Sequence, residues 1–394
     1  MSSYPDLYLH IKTLSFLGLI CCHCTQDNGK KLCIATCQSH EWRARATFFL
    51  VQLLCFIILL NCILCTQYYY VMLFNDTGNL HSVMIFGSAC LIISCSYGYL
   101  YVTRARNIQF LKDILIHYND MLSEGGNKGG EVTNVEIKHQ FYIYVTICSL
   151  NSFIAVISFH QGLGHWSANV TLILVHTFVK IVVGIVISTY VSITQMLTIS
   201  MRRLNDQLTL LMTATVFGVK VDIQKLIKRR NRLLRICCHD LNPRYGLILL
   251  LAVFYTLLAA PSGPFIIISI FTNEELKNKT WLLLGASVVS IIWTIPCIVM
   301  WCIMAKCGDI TIEANRTIKI LLRIPVKKGQ NYKMTHKILW KHLQQKPILN
   351  VLGLFTLNSR TLFTLLSTIM GYIIIMVQFN ELNTEIGSYE HNSV

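Results

Sequence analysis

Seven apolar runs, each long enough to cross a lipid bilayer, dominate this chain of 394 residues. A spanning helix needs about 20 mostly apolar residues. The runs lie near 46–70, 81–102, 140–160, 169–200, 246–271, 281–304 and 361–379. Charged residues make up only 13% of the chain, against about 25% in soluble domains. The expected fold class is therefore an all-α integral membrane protein with seven transmembrane helices. No internal repeat or low-complexity tract stands out.

The net charge of +15 is compatible with nucleic-acid binding in principle, but its distribution points to a membrane. The segments 1–45, 103–139, 201–245 and 305–347 carry thirty of the 34 Lys and Arg residues. The opposite loops hold only Lys277 and Lys279, while Lys180 and Arg360 lie in or beside runs. Cytoplasmic loops carry the excess of basic residues, so the amino terminus is expected in the cytoplasm. Seven spans then put the carboxyl terminus outside, an inverted topology. Three of the four Asn-X-Ser/Thr triplets, at Asn75, Asn169 and Asn278, fall in loops assigned to the exterior and are the candidate glycosylation sites; the fourth is at Asn315. None of the sixteen cysteines lies in those outer loops, which favours reduced, buried thiols over disulfides. Cys21, Cys22, His23 and Cys24, with Cys33 and Cys37 nearby, have irregular spacing for a zinc site, and lipidation suits their juxtamembrane position better. The apolar stretch Leu14–Cys22 is short and is preceded by Asp6 rather than positive charge, so a pre-membrane segment fits it better than a signal peptide. No cofactor or metal is implied.

Two runs exceed one bilayer crossing. Residues 169–200 as a helix measure about 48 Å, against a hydrocarbon core of about 30 Å. This helix is expected to project into the cytoplasm. There Leu204, Leu208, Leu211 and Met212 continue an apolar stripe, and residues 225–235 form a basic face. Residues 348–379 are equally long, but Arg360 interrupts them. Placing that guanidinium at mid-bilayer costs at least ~3 kcal/mol. Arg360 therefore belongs at the inner interface, with 348–359 packed on a cytoplasmic base and Thr361–Phe379 crossing the membrane. The resulting division is a cytoplasmic segment 1–45, helices one to six over 46–304, a cytoplasmic helical anchor over 305–360, a last helix over 361–379 and an extracellular tail over 380–394. Gln378 and Phe379 arrive near the outer end. A glutamine amide in hydrocarbon needs protein or water to pair with.

The last run carries Gly371-Tyr372, five apolar residues, then Gln378-Phe379. With the inverted seven-helix arrangement, this resembles the insect gustatory receptors of the seven-helix insect chemoreceptor superfamily. The family's last helix reads Thr-Tyr, apolar residues, Gln-Phe; Gly371 stands here in place of the Thr. The resemblance implies a tetrameric, tastant-gated, non-selective cation channel, as a homo- or hetero-tetramer of related subunits in the plasma membrane of chemosensory dendrites. It implies that Tyr372, Ile375, Gln378 and Phe379 line the pore. Phe379 would be the hydrophobic gate and Gln378 the polar residue that replaces it on opening. Hydrophobic constrictions gate by dewetting, and acidic rings favour cations. Glu381 would supply such a ring at the outer mouth. The same residues also suit interfacial capping of a membrane helix. The resemblance further implies a ligand pocket in the outer half of the bundle, where Lys180, His160, Gln161, His176, Tyr255 and Trp293 are the candidates. Lys180 must face protein, water or a partner at its depth. Structural readings stand beside these: Trp166 and Trp281 as interfacial belt residues, Trp293 as packing and His176 as a satisfied bundle histidine.

An odorant receptor subunit working with a co-receptor shares this plan and is the alternative reading. A G-protein-coupled receptor fits less well, since the chain lacks an Asp-Arg-Tyr or Glu-Arg-Tyr triplet. Every Asp and Glu lies in a loop or terminus and no spaced His-Glu pair occurs, which disfavours a membrane enzyme or transporter.

Overall fold

The structure is a computed structural model describing residues 5–17, 23–27, 31–35, 41–56, 77–124, 146, 166–214, 223–261, 263–265, 267–268, 294–295, 297–302, 304–323 and 349–392. Over these residues the chain is helical apart from two short antiparallel hairpins. The helices are α1 (Pro5–Phe16), α2 (41–56), α3 (Thr77–Val102), α4 (Arg104–Glu124), α5 (Trp166–Ala214), α6 (Ile223–Arg235), α7 (Asn242–Ala259), α8 (Asp309–Arg323) and α9 (Ser359–Asn392). Three described stretches are long and apolar enough to cross a membrane: Thr177–Leu210, Lys225–Phe265 and Ser359–Phe379. Gly87–Val102 is a shorter apolar one. The first run is helical as far as residue 56, and the sixth is helical at 294–295, 297–302 and 304–305. The third, 140–160, lies outside the described residues except for residue 146.

α5 is the centre of the bundle. Its 49 residues measure about 74 Å, longer than the expected 169–200, because the apolar stripe continues without a helix breaker to Ala214. A helix that is apolar all round is buried. Val179, Val182, Val183, Val186, Tyr190, Val191 and Ile193 are all nearly inaccessible. Its buried hydroxyls are satisfied locally: Thr189, Thr194 and Thr198 each donate to the carbonyl four residues back at 2.8 Å. α1, α3, α4, α7 and α8 pack around it. α1 buries Ile11 and Leu14 in the core, so the first part of the Leu14–Cys22 stretch belongs to the bundle.

The two hairpins depart from an all-α fold. The first pairs His23–Asp27 (β1) with Lys31–Ala35 (β2) within the cysteine-rich segment. The second pairs Asn350–Val351 (β3) with Phe355–Thr356 (β4) around Leu352 and Gly353, both at positive φ. That turn needs left-handed backbone, which Gly353 adopts freely and Leu352 does not. It ends the apolar continuity of 348–379, so a hairpin stands where an extension of the last helix was plausible. Leu349, Val351 and Leu357 are buried. The turn sits on the start of α7, where Leu352 Cδ2 lies only 3.0 Å from where a Cβ on Gly246 would be.

α6 and α7 are joined by a π-helical turn, Ile236–Leu241, in which the Asn242 N–H donates to the Cys237 carbonyl. Pro243 explains it. A proline has no N–H and its ring clashes with the carbonyl four residues back. Widening the preceding turn accommodates both problems without breaking the helix. α9 begins at a side-chain cap: Asn358 Oδ1 accepts from the Thr361 N–H at 2.9 Å. It then runs to Asn392. The stretch 380–392, expected as part of an extracellular tail, continues the helix for about 20 Å past Phe379.

One end of the bundle is fastened by aromatic and basic side chains, as the Trp42–Arg45 and Tyr97–Tyr101 clusters lead one to expect of an interface. Tyr101 stacks on Phe48 with centroids 4.7 Å apart. Arg104 lies 4.5 Å over the Tyr101 ring and reaches Glu41 at 3.1 Å. Tyr97 donates to the Leu17 carbonyl at 3.2 Å, and Tyr99 to the Pro243 carbonyl at 2.9 Å.

Candidate pore helix and ligand pocket

α9 packs on the bundle along one stripe. Leu362, Leu365, Leu366, Ile369, Ile373, Met376 and Val377 face the core, with Ile369, Ile373 and Met376 buried. At about 100° per residue, the opposite line runs through Thr364, Ser367, Thr368, Gly371, Ile375, Gln378 and Leu382. All of these are exposed in the single chain. A helix written to face lipid all round has no use for this bias towards hydroxyl, glycine and amide. Thr364 and Thr368 satisfy their hydroxyls on the carbonyls of Arg360 and Thr364, at 3.2 and 2.9 Å. Gln378 is too long and too polar for that solution, and burying an unpaired amide in hydrocarbon costs several kcal/mol.

Gln378 and Phe379 sit side by side, about 100° apart around the helix axis, with Ile375 one turn below and between them. Phe379 is 56% exposed and Ile375 49%. Tyr372 is half-buried on the flank of the helix, and Glu381 is exposed two residues beyond Phe379. Ile375, Gln378 and Phe379 thus share the side of α9 turned away from the bundle, while Tyr372 and Glu381 lie on its two flanks.

Of the pocket candidates, two can be placed. Lys180 is buried in α5 at 4% exposure, within electrostatic reach of Cys297. Tyr255 is buried in α7 at 1%. His160, Gln161 and Trp293 lie outside the described residues, as do the triplet residues Asn75 and Asn278. The backbone of His176 and Asn169 belongs to α5, but their side chains lie outside the description. Two residues that sequence reasoning missed stand in this region. Trp301 is fully buried and donates to the Thr256 hydroxyl at 2.8 Å. Thr256 in turn donates to the Ala252 and Val253 carbonyls. The apolar run around Trp301 concealed the pairing, because its partner is 45 residues away.

The expected helical base is held by a polar cluster between α5 and α8. Glu313 accepts from Arg202 Nε at 3.0 Å and from Asn205 Nδ2 at 2.9 Å. Thr317 donates to Asn205 Oδ1 at 2.6 Å, and Arg316 approaches Asp206 and Glu313 at 3.6 and 3.5 Å. Burial pushes the Glu313 carboxyl up. The Asn205 and Arg202 hydrogen bonds and the Arg202 and Arg316 charges outweigh that and hold it below the usual carboxylate range. Thr317, the third residue of the Asn315 triplet, is fully buried in this cluster.

Residues 7–383 match the model of the 7tm Chemosensory receptor family. The chain is similar to the Gustatory and pheromone receptor 39a of Drosophila melanogaster. It is 27% identical to isoform A over 384 residues, 96% of each chain, and 27% identical to isoform D over 389 residues, 97% of each. Gustatory receptor 68a of the same organism is 27% identical over 149 residues, 38% of each chain.

Proposed function

This chain belongs to the 7tm chemosensory receptor family, and on that premise we propose that it is a gustatory receptor working as a ligand-gated, non-selective cation channel. One observation carries the channel reading: the polar line Thr364–Ser367–Gly371–Gln378 faces away from the chain's own bundle. Around a fourfold axis, four such lines enclose a common path, and each Gln378 amide gains water or a neighbouring subunit as partner. A tetramer therefore solves a problem that one chain in lipid leaves open. Gly371 lets the helices approach closely, as small residues do in membrane interfaces.

In the closed state four Phe379 rings form a dewetted constriction. Turning each α9 by about 100° replaces the rings with the Gln378 amides. Four Glu381 carboxylates beyond them favour cations. The amino terminus and the Arg202–Glu313 base lie in the cytoplasm, following the thirty basic residues on that side. Asn75 and Asn278 then lie outside and are open to glycosylation. The ligand is a small molecule that enters near Lys180 and Tyr255. The names of the similar fly receptors admit a pheromone as well as a tastant. The receptor works in the plasma membrane of chemosensory dendrites.

Whole-cell recording with a tastant panel tests this reading. Phe379→Ala is expected to raise the ligand-free leak and to weaken closure. A responsive channel whose leak, block and gating are unmoved by that change contradicts the gate.

A further inference from the structure

A cavity lies away from the pore helix, where α4 meets the junction of α6 and α7. It has a volume of about 550 Å³ and is bounded by α4, the α6–π junction and the start of α7. Four guanidinium-bearing residues, Arg106, Arg232, Arg235 and Arg244, line it, with two carboxylates, Asp113 and Asp240. Among the described residues, no ion pair joins either carboxylate to any of these arginines. The cavity thus keeps a net positive charge around open space. Arg244 is held in place: its guanidinium lies 4.7 Å over the Phe110 ring, and Nη1 approaches Asn107 Oδ1 at 3.4 Å. The π turn contributes Ile236 and Asp240 to the wall, and such turns recur at functional sites.

We propose that this cavity binds a multiply phosphorylated polyol, the chemistry of an inositol phosphate headgroup. Arginine forks match phosphate oxygens in bidentate fashion. The volume falls within the range of small-molecule pockets, roughly 300–1,000 Å³, and is generous for one inorganic phosphate. The two carboxylates disfavour a bare anion but accept hydrogen bonds from ring hydroxyls. The lining residues Ala105 and Arg244, at the starts of α4 and α7, adjoin the apolar stretches Gly87–Val102 and Lys225–Phe265, so the cavity lies where apolar helix meets basic sequence. A phosphorylated lipid headgroup reaches that depth, and so does a soluble inositol phosphate. The inference goes beyond the channel reading and does not depend on it.

The test uses the full chain in lipid nanodiscs, with inositol trisphosphate and inorganic phosphate as soluble probes. Nanodiscs doped with phosphatidylinositol bisphosphate, compared with phosphatidylserine at matched charge, form the lipid arm. Inositol trisphosphate is expected to bind and inorganic phosphate to bind more weakly. The exposed pair Arg232→Gln/Arg235→Gln should weaken binding about tenfold or more, while Lys319→Gln/Arg323→Gln on α8 leaves it unchanged. Asp113→Asn/Asp240→Asn should weaken inositol trisphosphate and strengthen inorganic phosphate. Binding confined to the doped nanodiscs and lost in the arginine pair assigns the site to a lipid headgroup. Soluble binding without preference for the doped nanodiscs assigns it to a free phosphate. No binding in either arm, or equal losses in the arginine pair and the α8 pair, overturns the proposal.

Discussion

Removing the Glu313 carboxylate is the sharpest perturbation of the base. It leaves buried Asn205 with only the Glu313 backbone carbonyl as acceptor, and half-exposed Arg202 without its carboxylate partner. Hydrogen bonds to charged groups contribute about 1.5–3 kcal/mol each. Exposure of Arg202 reduces its share, so Glu313→Ala should destabilise by about 2–4 kcal/mol, near the cost of breaking a buried pair. Glu313→Gln keeps the shape and loses the charge, and should cost about half as much. In a cycle with Asn205→Ala, the two losses should fall short of additivity by about 0.5–3 kcal/mol. The pH dependence has a definite sign. The folded carboxyl titrates below its unfolded value. Its stabilisation is complete above the ordinary carboxylate range and fades as pH falls through the folded value. Thermal melts of the detergent-solubilised protein across that window measure all three. Glu313→Gln melting with the wild type at neutral pH, together with strict additivity in the cycle, refutes the reasoning.

Gly246→Val should destabilise by about 1–3 kcal/mol through overpacking, because a Cβ there lies 3.0 Å from Leu352 Cδ2 and 3.5 Å from its backbone nitrogen; Leu352→Ala should restore part of the loss in a melt. Lys180→Met should shift the half-maximal ligand concentration or the ligand spectrum in recordings, and an unmoved dose–response in a surface-expressed variant returns Lys180 to a structural role. Trp301→Phe should lower stability by about 0.5–1.5 kcal/mol, since it keeps the ring but removes the donor to Thr256; a melt identical to wild type contradicts the bond.

What the sequence disclosed follows from the range of the forces. The apolar runs at 81–102, 169–200 and 361–379 were legible because bilayer thickness imposes length on them. Arg360 stands one residue into α9, at the start of the stretch Ser359–Phe379 that is long and apolar enough to cross a membrane. Hidden from the sequence were features set by contacts between distant residues. Trp301 with Thr256 and Asn205 with Glu313 join segments 45 and 108 residues apart. The turn at Leu352–Gly353 lay inside an apolar stretch that read equally well as helix. The π turn before Pro243 was announced only by the proline. The last helix ran past Phe379 because 380–392 contains no proline or glycine pair to stop it, and polarity alone does not end a helix.

The central claim is that the line through Ile375, Gln378 and Leu382 faces an aqueous path. Cysteine scanning of α9 during ligand-evoked current, with the unsubstituted channel as background for native thiols, tests it most directly. The account predicts that small permeant thiol reagents change the current through Ile375→Cys, Gln378→Cys and Leu382→Cys channels and leave Ile369→Cys, Ile373→Cys and Met376→Cys channels unaffected. Modification of the second set with silence in the first, in channels shown to be at the cell surface, contradicts it.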